Sequence, residues 1–180
     1  MKHEDHVALI RSGVQGAGTH WLELGAGDGE FTLALADVLG SDGDIVAVDR
    51  DARALTRLEA RLGGRFPASH VATRTLDFTH ELPAGPFDGV LAANSLHFVG
   101  DPMPVLAAIR DQLAHGGPFV LVEYDADQGN PYVPYPISFE RWGVLAAVAG
   151  FAGPRLLHRV PSRFLGSIYA AVTTRSDLGA

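Results

Sequence analysis

The sequence of 180 residues contains no cysteine and a single lysine, Lys2. The absence of cysteine excludes disulfide bridges, thiolate zinc sites and cysteine nucleophiles. Acidic residues outnumber basic ones by 21 to 14, which gives a formal net charge of −7, and no segment is rich in lysine or arginine. Because nucleic-acid binding depends on a basic surface, we expect no nucleic acid among the partners.

Long apolar runs are also absent. No segment approaches the roughly 18 uncharged apolar residues that a membrane span requires, so we expect no membrane span. The N-terminal segment MKHEDHVALIRSG carries charges where a signal peptide has its apolar core. We therefore expect a cytoplasmic protein, a monomer or a homodimer, with a single domain over 1–180 that begins with a helical segment at 1–18.

Short apolar runs alternate with segments of helical periodicity along most of the chain. The predicted strands are 21–24, 45–48, 71–76, 87–93 and 119–123, and the predicted helices between them are 31–39, 53–62 and 105–114. This alternation is typical of a parallel sheet with helices packed against it. The sequence therefore predicts an α/β fold.

The pattern changes after Tyr124. The segment 124–137 includes NPYVPYP, in which prolines and tyrosines interrupt any helix or strand, so an ordered loop is predicted. A helix is predicted at 139–149, followed by strands at 155–160 and 167–173. The short connection PSRFLG between these strands predicts a hairpin.

A glycine-rich turn, HWLELGAGDGE, follows the first predicted strand, with Gly25, Gly27 and Gly29 at alternate positions. In an open parallel sheet a ligand lies beyond the carboxyl ends of the strands, where glycines let the backbone approach it. A nicotinamide-binding fingerprint needs a further glycine three residues after Gly27, where this chain has Glu30. A nicotinamide-dependent oxidoreductase is thus the weaker alternative. A second alternative is that the tight turn needs these glycines for steric reasons alone.

Two aspartates follow the next predicted strands. Asp49 lies about twenty residues beyond the glycines, where an acidic side chain can accept hydrogen bonds from ribose hydroxyls. Its alternative role is to cap the following helix. Asp77 follows the third predicted strand, and a plain turn would also favour aspartate at that position.

The motif ELGAGDG, residues 23–29, resembles the E/D-x-G-x-G-x-G motif of class I S-adenosylmethionine-dependent methyltransferases. The segment FDGVLAANSLHF, residues 87–98, resembles the fourth strand of that family and the loop that leaves it. The resemblance extends from about Trp21 to Thr173. It implies a Rossmann-like, doubly wound, three-layer α/β/α fold, with a mostly parallel seven-stranded sheet and an antiparallel C-terminal strand.

The resemblance also implies a cofactor, S-adenosylmethionine, with S-adenosylhomocysteine as the product. Asp49 would bind the ribose, while Asp77 would accept from the adenine amino group and the backbone amide of Phe78 would reach a ring nitrogen. Arg50 stands where many relatives have an apolar residue against the adenine, and its guanidinium plane can stack on the base.

Two further positions complete this implied cofactor site. Glu23 would face the cationic amino group of the cofactor, with a buried acid satisfied by backbone amides as its alternative role. Asn94 follows the fourth strand, next to the methionine end of the cofactor. The implied cofactor-binding residues are Glu23, Gly25, Ala26, Gly27, Asp28, Gly29, Asp49, Arg50, Asp77, Phe78 and Asn94.

Methyl transfer from a sulfonium requires mainly that a nucleophile be aligned about 3–3.5 Å from the methyl carbon. A general base is needed only if the acceptor loses a proton. His97, Glu123 and Tyr124 lie near the strand ends, and His97 is the first candidate because its imidazole is available near pH 7. We take His97 and Tyr124 as candidate catalytic residues. A histidine packed in the loop is the alternative.

The chain shows neither an appended domain nor a basic surface, so a small-molecule acceptor is expected. Its pocket is predicted between the leading helix and the segments 94–101, 124–137 and 162–164. The candidate substrate-binding residues are His97, Tyr132, Tyr135, Arg163 and Phe164. The aromatic residues alternatively anchor the loop to the body of the protein. A protein that binds the cofactor without catalysis is the alternative function.

Two groups of residues resemble metal sites but provide too few ligands. His3 and His6 have helical ligand spacing but no identifiable third ligand. Glu123, Asp125 and Asp127 alternate along one segment, as in magnesium-dependent methyltransferases, but those enzymes also place an acidic residue near the position of Asn94. We expect no metal.

Overall fold

The structure is a computed structural model that describes residues 1–65 and 70–176. Its strands are β1 His20–Leu24, β2 Asp44–Asp49, β3 His70–Thr75, β4 Gly89–Ala93, β5 Pro118–Tyr124, β6 Arg155–Pro161 and β7 Ser167–Thr174. Its helices are α1 His3–Val14, α2 Glu30–Leu39, α3 Ala52–Arg65, α4 Met103–Gln112 and α5 Phe139–Val148. Short 3-10 turns cover Gly40–Asp42 and Leu96–Phe98.

All seven strands form one sheet with the order β3-β2-β1-β4-β5-β7-β6. The first five strands pair in parallel, and β7 runs antiparallel to both neighbours. The predicted α/β class, the seven-stranded sheet, the closing hairpin and the antiparallel last strand are therefore confirmed.

Helices cover both faces of the sheet. One apolar cluster includes Leu9 of α1, Leu35 of α2 and Leu58 of α3, and the cluster on the other face includes Leu106 of α4 and Trp142 of α5. Because both faces are covered, β4 and β5 are buried at every position, and this explains their continuous apolar runs. The predicted three-layer α/β/α arrangement is confirmed.

One predicted strand begins later than expected. Phe87 lies before β4, which starts at Gly89. The Phe87 N–H donates to Gln112 O at 2.8 Å, and its carbonyl accepts from Ala114 N–H at 2.8 Å. Its hydrogen bonds therefore go to the chain after α4, and the chain joins the sheet two residues further on.

The sheet order reverses beside β1, which has β2 on one side and β4 on the other. At such a switch point the connections diverge to opposite faces and leave a crevice beyond the carboxyl ends of the strands. The glycine turn after β1 and the loop after β4 meet there. None of the helices formed by residues 1–65 and 70–176 combines the length and the apolar character needed to cross a membrane.

Candidate functional site

The three glycines of the turn after β1 all have positive φ, a conformation that side chains rarely adopt. A Cβ on Gly25 would collide with Ser95, and a Cβ on Gly29 would collide with Leu58 of α3. A Cβ on Gly27 would meet no protein atom within 4 Å. Gly25 and Gly29 thus serve close packing, in agreement with the steric alternative, whereas the space beside Gly27 is open.

That space belongs to a cavity of about 320 Å³ at the carboxyl edge of β1, β2 and β4, within the range of small-molecule sites. We call it the first cavity. It is lined by Gly25, Gly27, Asp49, Arg50, Leu76, Asp77, Phe78, Thr79, Asn94, Ser95, Phe98 and Val99. The structure therefore gathers most of the predicted cofactor-binding residues around one space.

Asp49 joins the glycine turn to the end of β2. Its Oδ2 accepts from Gly27 N–H at 2.8 Å, and its Oδ1 accepts from Asp51 N–H at 2.8 Å. The N-cap of α3 is Asp51, whose Oδ1 accepts from Arg53 N–H at 2.9 Å, so the capping alternative is not realised by Asp49. Each carboxylate oxygen has a second lone pair, and the side chain can still accept from hydroxyl groups in the cavity.

Asp77 also combines a turn with a place in the cavity lining. Its Oδ1 accepts from the Thr79 hydroxyl at 2.6 Å and from Thr79 N–H at 3.0 Å. These bonds lower the pKa of Asp77, and the positive charge of Arg50 contributes in the same direction. Asp77 is therefore an ionised hydrogen-bond acceptor at neutral pH.

Asn94 shows the strongest signs of a ligand contact. It has a φ of 52°, the one positive φ at a non-glycine residue in the described ranges. Its Oδ1 is buried without a hydrogen-bond partner, as is the Oγ of neighbouring Ser95. Buried polar atoms are normally paired, and backbone strain collects at functional sites. The positive φ of a residue in the cavity lining indicates a loop shaped for a bound molecule, whereas the two unpaired oxygens are covered by protein atoms.

A second cavity, of about 690 Å³, lies on the other side of Asn94. It is lined by Met1, Lys2, Asp5, Asn94, Tyr124, Pro161, Ser162, Arg163, Phe164 and Ile168. Three predicted residues, Tyr124, Arg163 and Phe164, lie here together with the start of the leading helix. Asn94 lines both cavities and is the lining residue that they share.

The structure does not bring Tyr132 and Tyr135 into the lining of either cavity. Tyr132 is 74% exposed and Tyr135 is 49% exposed, whereas Val133 between them is buried. Asn130 Oδ1 accepts from the backbone amides of Tyr132 and Val133, each at 2.9 Å, and turns the loop. This turn directs Val133 inward, so the predicted contact of the tyrosines with the acceptor has no support in the geometry.

His97 is likewise outside both cavity linings. It is 3% exposed, and its Nδ1 lies 2.9 Å from Oε2 of the fully buried Glu123. The same carboxylate accepts from the backbone amides of His97 and Tyr124, each at 3.1 Å. The His97 carbonyl accepts from Tyr135 N–H at 3.0 Å. His97 thus links its own loop to the end of β5 and to the proline-rich loop, the packed position that was the alternative to a catalytic role.

Tyr124 does line the second cavity, but as a hydrogen-bond donor. Burial raises the pKa of its phenol, and the neighbouring Glu123 carboxylate raises it further. The phenol consequently keeps its proton at neutral pH. This property does not fit a general base.

Glu23 lies behind the glycine turn, 2% exposed and outside the lining of the first cavity. Its Oε2 has no hydrogen-bond partner. Burial raises the pKa of Glu23 to about 7, the Thr32 hydroxyl opposes this shift, and the Asp49 carboxylate adds to it. The carboxyl group is thus about half ionised at neutral pH.

Two other residues of the motif contact protein instead of the cavity. Ala26 is buried in the core. The Asp28 carboxylate accepts from Arg57 Nε at 2.9 Å and Nη2 at 2.7 Å, and the Asp28 carbonyl accepts from Arg61 at 2.6 Å. The motif therefore holds α3 in place as well as shaping the cavity.

Some lining residues were not predicted from the sequence. In the first cavity these are Leu76, Thr79, Ser95, Phe98 and Val99. In the second cavity they are Pro161 and Ile168, whereas Met1, Lys2 and Asp5 belong to the leading segment that was predicted to form the acceptor pocket. The unpredicted residues of the first cavity lie close in sequence to predicted residues at strand ends. This proximity is the signal by which they could have been predicted. Nothing in the local sequence distinguishes Pro161 or Ile168.

Within residues 1–65 and 70–176, no three histidine, aspartate or glutamate side chains form a group that could hold a metal ion. His3 instead lies 2.9 Å from Asp37, and Asp125 lies 2.7 Å from Arg159.

An open parallel sheet with a glycine turn after β1, an aspartate after β2 and a cavity at the switch point is the arrangement of α/β proteins that bind nucleoside cofactors. Residues 22–119 match a family model described as a methyltransferase domain. The chain belongs to this family of methyltransferase domains. The resemblance stated from the sequence is confirmed.

A curated relative is the probable cobalt-precorrin-6B C(15)-methyltransferase (decarboxylating) of Thermoplasma volcanium, 30% identical over 84 residues. The matched segment spans 47% of this chain and 41% of that protein.

Two solved structures share the fold. The YcgJ protein of Bacillus subtilis has a TM-score of 0.78 at 12% identity, over 97% of this chain and all of that one. The magnesium protoporphyrin IX methyltransferase of Synechocystis PCC 6803, solved with bound S-adenosylmethionine, has a TM-score of 0.75 at 14% identity, over 97% of this chain and 78% of that one.

Proposed function

We propose that this protein transfers a methyl group from S-adenosylmethionine to a small-molecule acceptor by direct displacement. The first cavity would hold the cofactor and the second would hold the acceptor. The observation that carries this proposal is that Asn94, whose backbone has a positive φ, lines both cavities.

The residues of the first cavity fit the cofactor. Asp49 would accept from the ribose hydroxyls, Asp77 and the amide of Phe78 would bind the adenine, and Arg50 would stack on the base. The open space beside Gly27 leaves room for the methionine portion. Glu23 acts from behind the turn, where its partly ionised carboxyl group favours a cationic amino group.

When bound, S-adenosylmethionine would supply an electrophilic methyl group: the acceptor lone pair would form a bond to the methyl carbon as the carbon–sulfur bond breaks, and S-adenosylhomocysteine would leave. The protein has mainly to align the acceptor and exclude water. Asn94 separates the two ligands and offers its amide to them. Tyr124 donates its phenolic hydrogen and so orients the acceptor, while Glu123 and His97 fix the loop that carries Asn94.

The proposal also covers the domain organisation, oligomeric state, location and partners of the protein. We propose a single functional domain, a monomer or a homodimer, located in the cytoplasm and without a nucleic-acid partner. The net charge of −7 supports the statement on nucleic acid, and the single sheet that joins all seven strands supports the single domain.

Calorimetric titration with S-adenosylmethionine and S-adenosylhomocysteine tests cofactor binding, and mass spectrometry of reactions with small acceptors tests transfer. We expect both ligands to bind and a methylated product to form. If neither ligand binds, the proposal is wrong. If both bind and no acceptor in a broad panel is methylated, the chain is a cofactor-binding protein without catalysis.

A further inference from the structure

We infer that the second cavity accepts a small organic acid, a molecule with a carboxylate group on an apolar or aromatic body. This inference rests on the proposed function, since it names the class of acceptor that the methyl transfer would use. The charges, the hydrogen-bond donors and the apolar surface of the cavity support it independently.

Positive charge predominates among the side chains that line the second cavity. Lys2 and Arg163 are its basic residues, and neither forms an ion pair within residues 1–65 and 70–176. Asp5 is its one acidic lining residue, and its carboxylate already accepts from Lys2 N–H at 2.8 Å. This local excess contrasts with the net charge of −7 for the whole chain. A ligand with a negative charge would balance the two cations.

The uncharged polar groups of the cavity also provide donors. The Tyr124 phenol keeps its proton, because burial raises its pKa. Ser162 Oγ accepts from Phe164 N–H at 3.1 Å, which leaves the hydroxyl hydrogen free to donate. The cavity also adjoins the first turn of α1, where the helix dipole favours anions. A guanidinium and two hydroxyl donors form a suitable set for a carboxylate.

The apolar part of the lining indicates the rest of the ligand. Phe164 is 67% exposed at the hairpin between β6 and β7, and Pro161 and Ile168 flank it in the cavity wall. An aromatic side chain left open to solvent at a cavity provides a stacking surface for an apolar group. The volume of about 690 Å³ is in the range for small-molecule ligands.

Paired probes test this inference. Binding of 4-hydroxybenzoate and of its neutral counterpart 4-hydroxybenzamide is measured by calorimetry on the full chain saturated with S-adenosylhomocysteine. We expect the acid to bind about tenfold more tightly than the amide, as for a hydrogen-bonded charged group. Arg163→Gln should bring the ratio close to one. Arg155→Gln, on exposed β6 and outside the cavity lining, is the matched control and should keep the ratio.

Equal affinity for the two probes, an unchanged ratio in Arg163→Gln, or no measurable binding of either probe would overturn the inference. Binding of S-adenosylhomocysteine is measured first and separately. Failure at that step contradicts the proposed function itself, whereas normal cofactor binding without a preference for the acid overturns only the assignment of the acceptor class. Circular dichroism of both variants establishes that they are folded.

Discussion

At the scale of single residues, the glycines after β1 show that one motif can meet several physical requirements. Gly25 permits contact with Ser95, Gly29 permits contact with α3, and Gly27 alone has open space where a side chain would project. All three glycines have a positive φ, and the sequence alone does not distinguish their different roles. They can be separated by substitution, because each glycine has a different neighbour.

Gly27→Val is expected to weaken S-adenosylhomocysteine binding by about tenfold or more, because the side chain would fill the cavity and remove cofactor contacts. Gly40→Val is the matched control. Gly40 also has a positive φ and no atom within 4 Å of its Cβ position, but it lies outside both cavities. Both variants should lose similar stability, and calorimetry should show weaker binding only for Gly27→Val. Equal affinities in the two variants would place the cofactor elsewhere.

Glu23 makes the stability of the protein depend on pH. Its pKa is raised from 4.5 to about 7, so between these values the folded state binds more protons than the unfolded state. The free energy of unfolding should therefore fall as pH rises from 4.5 to 7, by up to about 3 kcal/mol. Glu23→Gln should remove this dependence and be the more stable protein above pH 7.

Urea unfolding of the parent and of Glu23→Gln across this pH range measures the effect. Glu140→Gln is the control, since that residue is exposed at the start of α5. Parallel pH profiles for the parent and Glu23→Gln would show that Glu23 does not titrate as its burial implies.

At the scale of secondary-structure elements, a buried hydrogen-bonded pair, His97 and Glu123, fixes the loop that carries Asn94. Glu123 at the end of β5 accepts from two backbone amides and from the His97 ring, and it belongs to no cavity lining. The short 3-10 turn Leu96–Phe98 follows directly after Ser95. The hydrogen bonds that Glu123 accepts on the buried side of the loop thus fix the position of the loop between the two cavities.

Glu123→Ala should destabilise the protein by about 3–5 kcal/mol, because it leaves buried donors without an acceptor. Glu123→Gln keeps one acceptor oxygen and should cost less. Chemical unfolding measures the free energies of unfolding. Calorimetry with S-adenosylhomocysteine measures whether the loop that carries Asn94 still supports cofactor binding. We expect the affinity of folded Glu123→Gln to fall although the residue does not touch the cavity. An affinity equal to that of the parent would limit Glu123 to a structural role.

The proline-rich loop provides a contrasting test. Tyr132 and Tyr135 project into solvent, so their joint replacement by alanine should leave the melting temperature and cofactor affinity nearly unchanged. Since neither side chain lines the second cavity, we also expect unchanged binding of 4-hydroxybenzoate. Loss of probe binding in this double variant would show that the loop closes over the acceptor and would restore the contact expected from the sequence.

The strands and helices were predictable because apolar runs and glycine positions directly reflect burial between two helical layers. Asp49, Asp77 and Asn94 were predictable for a related reason, since residues that follow parallel strands must meet at one sheet edge. The direction of the side chains in the loops was not predictable from the sequence. The Asn130 turn faces Tyr132 outward, and buried Glu123 draws His97 inward. Both effects depend on contacts between distant segments, which local sequence patterns do not contain.

At the scale of the whole molecule, the first cavity joins segments that follow four different strands. Gly25 follows β1, Asp49 ends β2, Leu76 follows β3 and Asn94 follows β4. A ligand that contacts all four segments binds the folded state alone. Its binding free energy must therefore appear as stability of the entire sheet.

S-adenosylhomocysteine at about one hundred times its dissociation constant should stabilise the protein by about 2.7 kcal/mol. For a chain of this size, that corresponds to a rise in melting temperature of about 5–10 °C. Differential scanning fluorimetry measures it, with NADH as the comparison ligand and Gly27→Val as the control variant. The parent should respond to S-adenosylhomocysteine only, and Gly27→Val, with about tenfold weaker binding, should show at most about half of that rise at the same concentration. A shift with NADH in place of S-adenosylhomocysteine, absent in Gly27→Val, would instead favour a nicotinamide cofactor, because a ligand raises the melting temperature when it binds the folded state in preference to the unfolded one.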